Sequence, residues 1–188
     1  MMDAYLPRDG RTESRAAVIL IHGGGWATGN RKRQREVDFA TRLAGNGVAC
    51  FVPDYALSRW SGKPFQSKVV ASAWPQCLYD CKSAVRYVRK HAREYGVDPR
   101  RLGVAGGSAG GYLALMTGFT GNERRWNCIG PCQEESGAVG CVIAAREISG
   151  MNTPFNQWLL PPDEADNGAV QAMASPVGHL SAEAPPVL

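Results

Sequence analysis

The sequence predicts an α/β protein with a mostly parallel β-sheet covered by helices on both faces. Two observations carry this prediction. Short continuous apolar runs are typical of strands buried on both faces, and amphipathic helical patterns lie between them. Strands that alternate with helices at this spacing favour a parallel sheet. The apolar runs are residues 16–21, 48–52, 102–105 and 139–144.

Length and composition indicate an ordinary globular domain. The chain has 188 residues, of which 44% are hydrophobic and 20% charged, and its net charge is +4. We therefore predict one domain spanning residues 1–188. No apolar run is long enough to span a membrane, and residues 1–7 do not resemble a signal peptide. The basic run Arg31–Arg35 is best interpreted as a solvated face at the start of a helix. We predict neither a nucleic-acid nor a membrane partner, and the compartment stays open.

Six cysteines give no regular framework. Cys77 and Cys81 are one helical turn apart among apolar neighbours and are expected to be buried free thiols. Cys128 and Cys132 flank a Gly-Pro pair and are the pair best suited to a disulfide. Because no Cys-x-x-Cys pair exists, we predict no zinc site, and we expect neither a metal nor a cofactor.

A glycine loop follows the first buried run, Ala16–Ile21. Its sequence is His22-Gly23-Gly24-Gly25-Trp26. Three consecutive glycines leave the backbone free to turn its N–H groups toward a site. Directly after a buried strand, such a loop predicts an oxyanion-binding element.

The next elements are a helix from Gln34 to Leu43, stopped near Gly45, and a strand over Val48–Val52. Residues 56–73 show no period and are predicted to form a surface loop. The aromatic residues in or beside this loop either line a pocket or pack on the core. They are Trp60, Phe65 and Trp74.

The clearest helical pattern runs from Pro75 to about Tyr95. Its apolar positions recur at i, i+3, i+4 and i+7. His91 is expected on the helix surface. The basic side chains are expected to face outward, namely Lys82, Arg86, Arg89, Lys90 and Arg93.

A Gly-x-Ser-x-Gly turn joins the third buried run to a further helix. Residues 102–105 lead into Gly106-Gly107-Ser108-Ala109-Gly110, and Tyr112–Met116 continue as a helix. A sharp strand-to-helix turn exposes the serine hydroxyl, and its glycines allow close packing. The following helix N-terminus supplies unpaired N–H groups. Ser108 is therefore the predicted nucleophile.

The rest of the chain gives a weaker pattern. Residues 119–135 are predicted to form a loop, and Val139–Ala144 a further buried strand. A long connection is expected over Gly150–Gly168. Residues 184–188 are typical of the beginning of another strand.

Together, the glycine loop and the serine turn resemble the α/β-hydrolase superfamily. The sequence is most similar to the hormone-sensitive-lipase-like esterases, and among them to the acetyl xylan and feruloyl esterase-like group. The resemblance implies that Ser108 attacks a small-molecule or carbohydrate ester and forms an acyl-enzyme. It also implies an oxyanion hole built from the backbone N–H groups of Gly24, Gly25 and Ala109. His22 and Gly23 would shape its loop.

The resemblance has gaps that bear on catalysis. In this fold the acid and the histidine follow the serine in the chain, and in the family both lie beyond the strand that begins near Pro185. We therefore expect an α/β-hydrolase domain truncated at both ends and lacking the triad acid and base. His179, with Asp163 or Asp166 upstream, meets the required order formally but is not favoured.

Two smaller departures concern the pocket. Ala56 stands where the family commonly has an arginine, and residues 144–147 stand where a Gly-Pro turn is expected. These departures affect details of the pocket and leave the fold prediction unchanged.

Three functions stay open from the sequence. The chain is part of a serine carboxylesterase, part of an arylformamidase-like amidase, or a non-catalytic module of the same fold. An open sheet edge and uncovered apolar helix faces predict self-association. The oligomeric state is not specified by the sequence.

Overall fold

A computed structural model describes residues 1–8, 15–146, 148–153 and 155–188. Five strands form one sheet in the order β1-β3-β2-β6-β7, and all neighbouring pairs are parallel except β1 with β3. The predicted mostly parallel sheet is therefore confirmed. The strands are β1 (Met2–Tyr5), β2 (Arg15–Ile21), β3 (Ala49–Pro53), β6 (Val97–Gly107) and β7 (Cys141–Ala145).

Helices cover both faces of this sheet. On one face, helix α1 (Gln34–Gly45) packs Ala40 against Leu20, Cys50 and Ala105 of the strands. On the other face lie α2 (Gln76–Lys90) and α3 (Ala109–Phe119). Helix α3 is buried from Ala109 to Gly118 because it lies between the sheet and its neighbouring elements.

Short elements occupy the stretches predicted as loops. Residues 56–73 contain a two-stranded antiparallel sheet of β4 (Arg59–Trp60) and β5 (Val69–Ala71). Residues 119–135 contain α4 (Arg124–Asn127). Beyond β7 lie α5 (Asn156–Leu159), α6 (Gly168–Met173) and a 3₁₀ turn at Pro176–His179.

The end of the described chain extends the sheet. The N–H of Val142 donates to the carbonyl of Pro186, and the N–H of Leu188 donates to the carbonyl of Val142. Val187 thus pairs with β7 in parallel, as expected for the beginning of a strand. No helix in the described ranges has the length and apolar character that crossing a bilayer requires.

Helix α2 differs from its predicted surface. It ends at Lys90, before the predicted end near Tyr95, and Lys82 and Arg86 are fully buried instead of facing outward. The Lys82 ammonium donates to the carbonyls of Thr117, Gly121 and Gly137. The last turn of α3 and the irregular backbone after it therefore supply the acceptors that make burial of these cations possible.

Like Lys82, Arg86 and Arg89 donate hydrogen bonds to backbone carbonyls. Arg86 donates to the carbonyls of Ile129 and Pro131, and the half-buried Arg89 donates to those of Ser136 and Ala138. The prediction of an outward position is wrong for Arg86 and holds for Lys90 and Arg93, which are exposed. His91 caps α2 and pairs with Glu94.

The cysteines are free thiols. Cys77 and Cys81 are buried in the core, as predicted. The suggested Cys128–Cys132 disulfide is not formed. Cys128 directs its thiol to the carbonyl of Arg125, 3.3 Å away, and Cys132 adopts a left-handed backbone with φ of 57°.

Candidate active site

Ser108 lies at the junction of β6 and α3 with an exposed side chain. Its backbone has φ of 57° and ψ of −125°, in the left-handed region that residues with a Cβ rarely adopt. The N–H of Ser108 donates to the carbonyl of Ala145 at 2.8 Å, and its carbonyl accepts from the N–H of Tyr112 at 3.0 Å. These contacts from β7 and α3 hold a strained turn of the kind that occurs at functional sites.

The glycines of this turn are required by close backbone contacts. A Cβ on Gly110 would lie 2.2 Å from the carbonyl oxygen of Ile21, and one on Gly106 would lie 2.3 Å from that of Gly110. Such separations are far shorter than any real carbon–oxygen contact. The two glycines therefore let α3 pack directly on the ends of β2 and β6.

The glycine loop after β2 lies beside Ser108. A Cβ on Gly23 would lie 3.6 Å from the Cβ of Ser108. The loop turns at Gly24, whose carbonyl accepts the N–H groups of Ala27 at 3.1 Å and Thr28 at 3.0 Å. Gly24 has φ of 134° and Gly25 has φ of 58°. The two sequence motifs thus meet in space.

Three backbone N–H groups of the glycine loop and the serine turn have no hydrogen-bond partner in the part of the chain that the structure describes. Within the described residues, the N–H groups of Gly24, Gly25 and Ala109 donate to no protein acceptor. Ala109 is the first residue of α3, where a helix leaves its N–H groups unpaired. Such donors stabilise negative charge that develops on a substrate oxygen.

His22 supports the loop from inside the protein. Its side chain is buried and stacks on Tyr55, with ring centroids 4.2 Å apart. Nδ1 lies 3.0 Å from the carbonyl oxygen of Gly23, and the Tyr55 hydroxyl donates to the carbonyl of His22 at 2.8 Å. Burial lowers the pKa of His22, and the Gly23 carbonyl and the Glu36 carboxylate partly oppose this shift.

His22 is expected to make the protein less stable in mild acid. Its pKa is lower in the folded than in the unfolded chain, so as pH falls through about 6.5 the unfolded chain takes up the proton first. The free energy of unfolding should fall between about pH 7 and pH 5, and this fall should be smaller in His22→Gln. Urea unfolding of both proteins at several pH values measures it. Parallel curves would contradict this prediction.

His179 does not face Ser108 as a base. Its Nδ1 lies 3.1 Å from a carboxylate oxygen of Glu123, and its Nε2 lies 2.8 Å from the carbonyl oxygen of Met173. Asp163 and Asp166 are exposed. Within residues 1–8, 15–146, 148–153 and 155–188, no side chain hydrogen-bonds to the Ser108 hydroxyl. The same residues contain no group of three His, Cys, Asp or Glu side chains placed to hold a metal ion.

Some contacts around the loop are not evident from the sequence. Arg33 donates to the carbonyl of Gly23 at 3.2 Å, whereas Arg31 of the same basic run is half-buried and pairs with Asp3 and Asp54. The basic run is therefore only in part a solvated face. Phe65 also contacts the loop at Gly25. The sequence indicated only that aromatic residues occur in or beside residues 56–73.

The structure shows the contacts made at Ala56 and at residues 144–146, where the sequence differs from the family pattern. The Ala56 N–H donates to the Asp80 carboxylate at 2.8 Å. Ala145 accepts from the Ser108 N–H, and Arg146 has φ of 50°. Glu147 lies outside the described residues.

The sheet order, the serine turn and the adjacent glycine loop define an α/β-hydrolase. The chain belongs to the BD-FAE family, whose model matches residues 2–188.

The chain is also similar to proteins named as esterases. It is 29% identical over 187 residues to the probable carboxylic ester hydrolase LipM of Mycobacterium tuberculosis, covering 93% of this chain and 40% of LipM. Human arylacetamide deacetylase-like 2 is 37% identical over 114 residues, which is 58% of this chain and 25% of that protein.

Among solved structures, Thermogutta terrifontis esterase 2 phosphorylated by paraoxon superposes with a TM-score of 0.73 at 28% identity. The match covers 99% of this chain and 62% of that one. By contrast, the chain spans only 40% to 46% of the length of LipM, LipQ and LipC, three curated relatives from Mycobacterium tuberculosis.

Proposed function

We propose that this chain carries the nucleophile and the oxyanion hole of a serine carboxylic-ester hydrolase. The observation that carries the proposal is the strained, exposed Ser108 with the glycine loop against it. The similar proteins named as esterases support it. The Ser108 hydroxyl oxygen attacks the ester carbonyl carbon, and the carbonyl oxygen gains negative charge.

The N–H groups of Gly24, Gly25 and Ala109 would stabilise that charge. Removing one such donor costs about 3 kcal/mol of transition-state stabilisation in comparable sites. The bond between the carbonyl carbon and the alcohol oxygen then breaks, the alcohol leaves with the proton lost by the Ser108 hydroxyl, and the acyl group stays on Ser108. Water hydrolyses this acyl-enzyme and releases the acid. Short acyl groups on aryl or carbohydrate alcohols form the substrate class that we propose for the parent protein.

We propose that the acid and base of the triad are absent from residues 1–188. A serine without a base is a weak nucleophile at neutral pH, so only the oxyanion hole and substrate binding would accelerate the reaction. This chain should therefore react slowly, and with activated esters first. We also propose that residues 1–188 form one incomplete α/β-hydrolase domain.

p-Nitrophenyl acetate tests the proposal, because its good leaving group reduces the need for an acid. We expect slow release of one p-nitrophenol per chain, together with a gain of one acetyl group in the mass of the intact protein. In Ser108→Ala both should disappear. Equal release from the wild type and Ser108→Ala would show that another group reacts, and would refute the proposal.

An amidase is the second candidate. The similarity to human arylacetamide deacetylase-like 2 favours it, because that name refers to removal of an acyl group from an amide. Phenyl acetate and acetanilide, which carry the same acetyl group on oxygen and on nitrogen, distinguish the two activities. Faster turnover of the amide would favour the amidase, and no reaction of Ser108 with either would favour a non-catalytic module.

A further inference from the structure

Phe65 packs directly on the glycine loop. A Cβ on Gly25 would lie 2.7 Å from Cε1 and 2.8 Å from Cζ of Phe65, so the ring lies against the Gly25 Cα. Trp158 is also close to this position, since its Cε3 would be 3.6 Å from the same Cβ. Two aromatic side chains from distant parts of the chain therefore fill the space that a side chain at position 25 would occupy.

Other aromatic rings hold Phe65 in this position. Its centroid lies 5.3 Å from that of Trp60 and 4.7 Å from that of Trp158. Phe155 in turn lies 4.9 Å from Trp158. Edge and tilted contacts at these separations are favourable beyond the area they bury. We call Trp60, Phe65, Phe155 and Trp158 the aromatic group.

The backbone at Phe65 is strained. Its φ is 66°, in the left-handed region, which costs energy for a residue with a bulky side chain. Such strain persists only where surrounding contacts determine the conformation, and it is concentrated at functional positions. Phe65 is nevertheless 44% exposed, so core burial does not explain why the strain is maintained.

Hydrogen bonds fix the same two segments to the loop. The Ser58 N–H donates to the carbonyl of Trp26 at 2.7 Å, and the Ser58 hydroxyl donates to the carbonyl of Trp158 at 2.9 Å. The N–H of Ala73 donates to the Ser58 hydroxyl oxygen at 3.0 Å. The residue after Gly25, the hairpin that carries Phe65 and helix α5 thus form one connected unit.

We propose that Phe65 is a positioning residue that holds Gly25 in its left-handed conformation and so keeps the oxyanion N–H groups in place. The proposal rests on the proposed function, since it assigns Phe65 to the loop that would bind the oxyanion. A three-residue glycine run is flexible, and a displacement of about 1 Å at such a site can cost about 100-fold in rate.

Phe65→Ala tests this positioning role by two independent measurements. The first is amide hydrogen–deuterium exchange of Ala27 and Thr28, whose N–H groups donate to the carbonyl of Gly24, and it requires no catalysis. We expect faster exchange in Phe65→Ala and wild-type exchange in Phe65→Tyr, which keeps the ring. The second is acetylation of Ser108 by p-nitrophenyl acetate. Its maximal rate should fall at least about 10-fold, with the half-saturating ester concentration within about twofold.

Phe155→Ala is the matched control. Phe155 is similarly exposed, at 40%, and contacts Trp158, whereas the three atoms nearest the Gly25 Cβ position belong to Phe65 and Trp158. We expect it to leave both measurements near those of the wild type. Trp158 contacts both Phe65 and the Gly25 position, so Trp158→Leu should change both measurements in the same direction as Phe65→Ala.

Unchanged exchange and acetylation in Phe65→Ala, or equal effects of Phe65→Ala and Phe155→Ala, would overturn the proposal. If wild-type Ser108 is not acetylated, the proposed function fails, and the exchange measurement still decides whether Phe65 holds the loop. Faster exchange restored by Phe65→Tyr then supports positioning, and unchanged exchange refutes it.

Discussion

Replacing Gly110 by alanine is expected to lower the free energy of unfolding by about 3 kcal/mol or more. The new Cβ would lie 2.2 Å from the carbonyl oxygen of Ile21 and 2.7 Å from that of His22. Both contacts are with backbone, so no flexible side chain can move away. The N-terminus of α3 would have to separate from the end of β2.

The same substitution should also remove the reactivity of Ser108. Ser108 precedes α3, and the glycine loop follows β2, so separating these elements moves the nucleophile away from the loop. Urea unfolding and acetylation by p-nitrophenyl acetate measure the two effects.

Gly45→Ala is the matched control for this substitution. No atom lies within 4 Å of a Cβ at this position, and Gly45 is the last residue of α1. Alanine there should raise stability by up to about 1 kcal/mol, because it restricts the unfolded chain and favours the helix. A Gly110→Ala protein as stable and reactive as Gly45→Ala would show that the turn is not packed as described.

Lys82→Met is expected to destabilise the protein by about 2 kcal/mol near neutral pH. Methionine fills a similar volume but leaves the carbonyls of Thr117 and Gly137 without the Lys82 donor, while the carbonyl of Gly121 keeps the Asn127 amide. Lys90→Met is the matched control on the same helix. Lys90 is exposed and pairs with Glu134 at the surface, where solvent screens the pair, so its loss should cost far less than that of Lys82.

The effect of Lys82 should depend on pH. Burial lowers the pKa of Lys82 to about 7, whereas an unfolded lysine titrates near 10.4. Between these values the unfolded chain binds more protons, so the contribution of Lys82 to stability grows as pH rises. The difference in unfolding free energy between wild type and Lys82→Met should widen from about pH 7 to pH 10. A constant difference, or a variant as stable as Lys90→Met, would contradict this prediction.

Lys82 and Arg86 show where inference from sequence fails. Side-chain type predicted an outward position, yet both residues share the stripe of α2 that also carries Leu78, Cys81 and Val85. Their acceptors are backbone carbonyls, which every residue type provides, in the last turn of α3 and the irregular segment after it. No pattern of side chains therefore marks where a buried cation will find its partners.

The sheet and the serine turn were predictable because their causes are local. Continuous apolar runs report burial on both faces, and Gly106 and Gly110 mark a backbone contact that any larger residue would prevent. The contact of Phe65 with Gly25 joins residues 40 positions apart, so the sequence indicated only that an aromatic residue was present. The stacking of His22 on Tyr55 could not be predicted either, because it too joins residues that are distant in the sequence.

The site of modification by an organophosphate tests the central claim most directly. Thermogutta terrifontis esterase 2, to which the chain is similar, is described as phosphorylated by paraoxon. Wild-type protein treated with paraoxon should gain one diethylphosphoryl group, and peptide mass spectrometry should place it on Ser108. No such adduct is expected in Ser108→Ala. A stable adduct on another residue, or none on a folded wild-type chain, would contradict the assignment of Ser108 as the nucleophile.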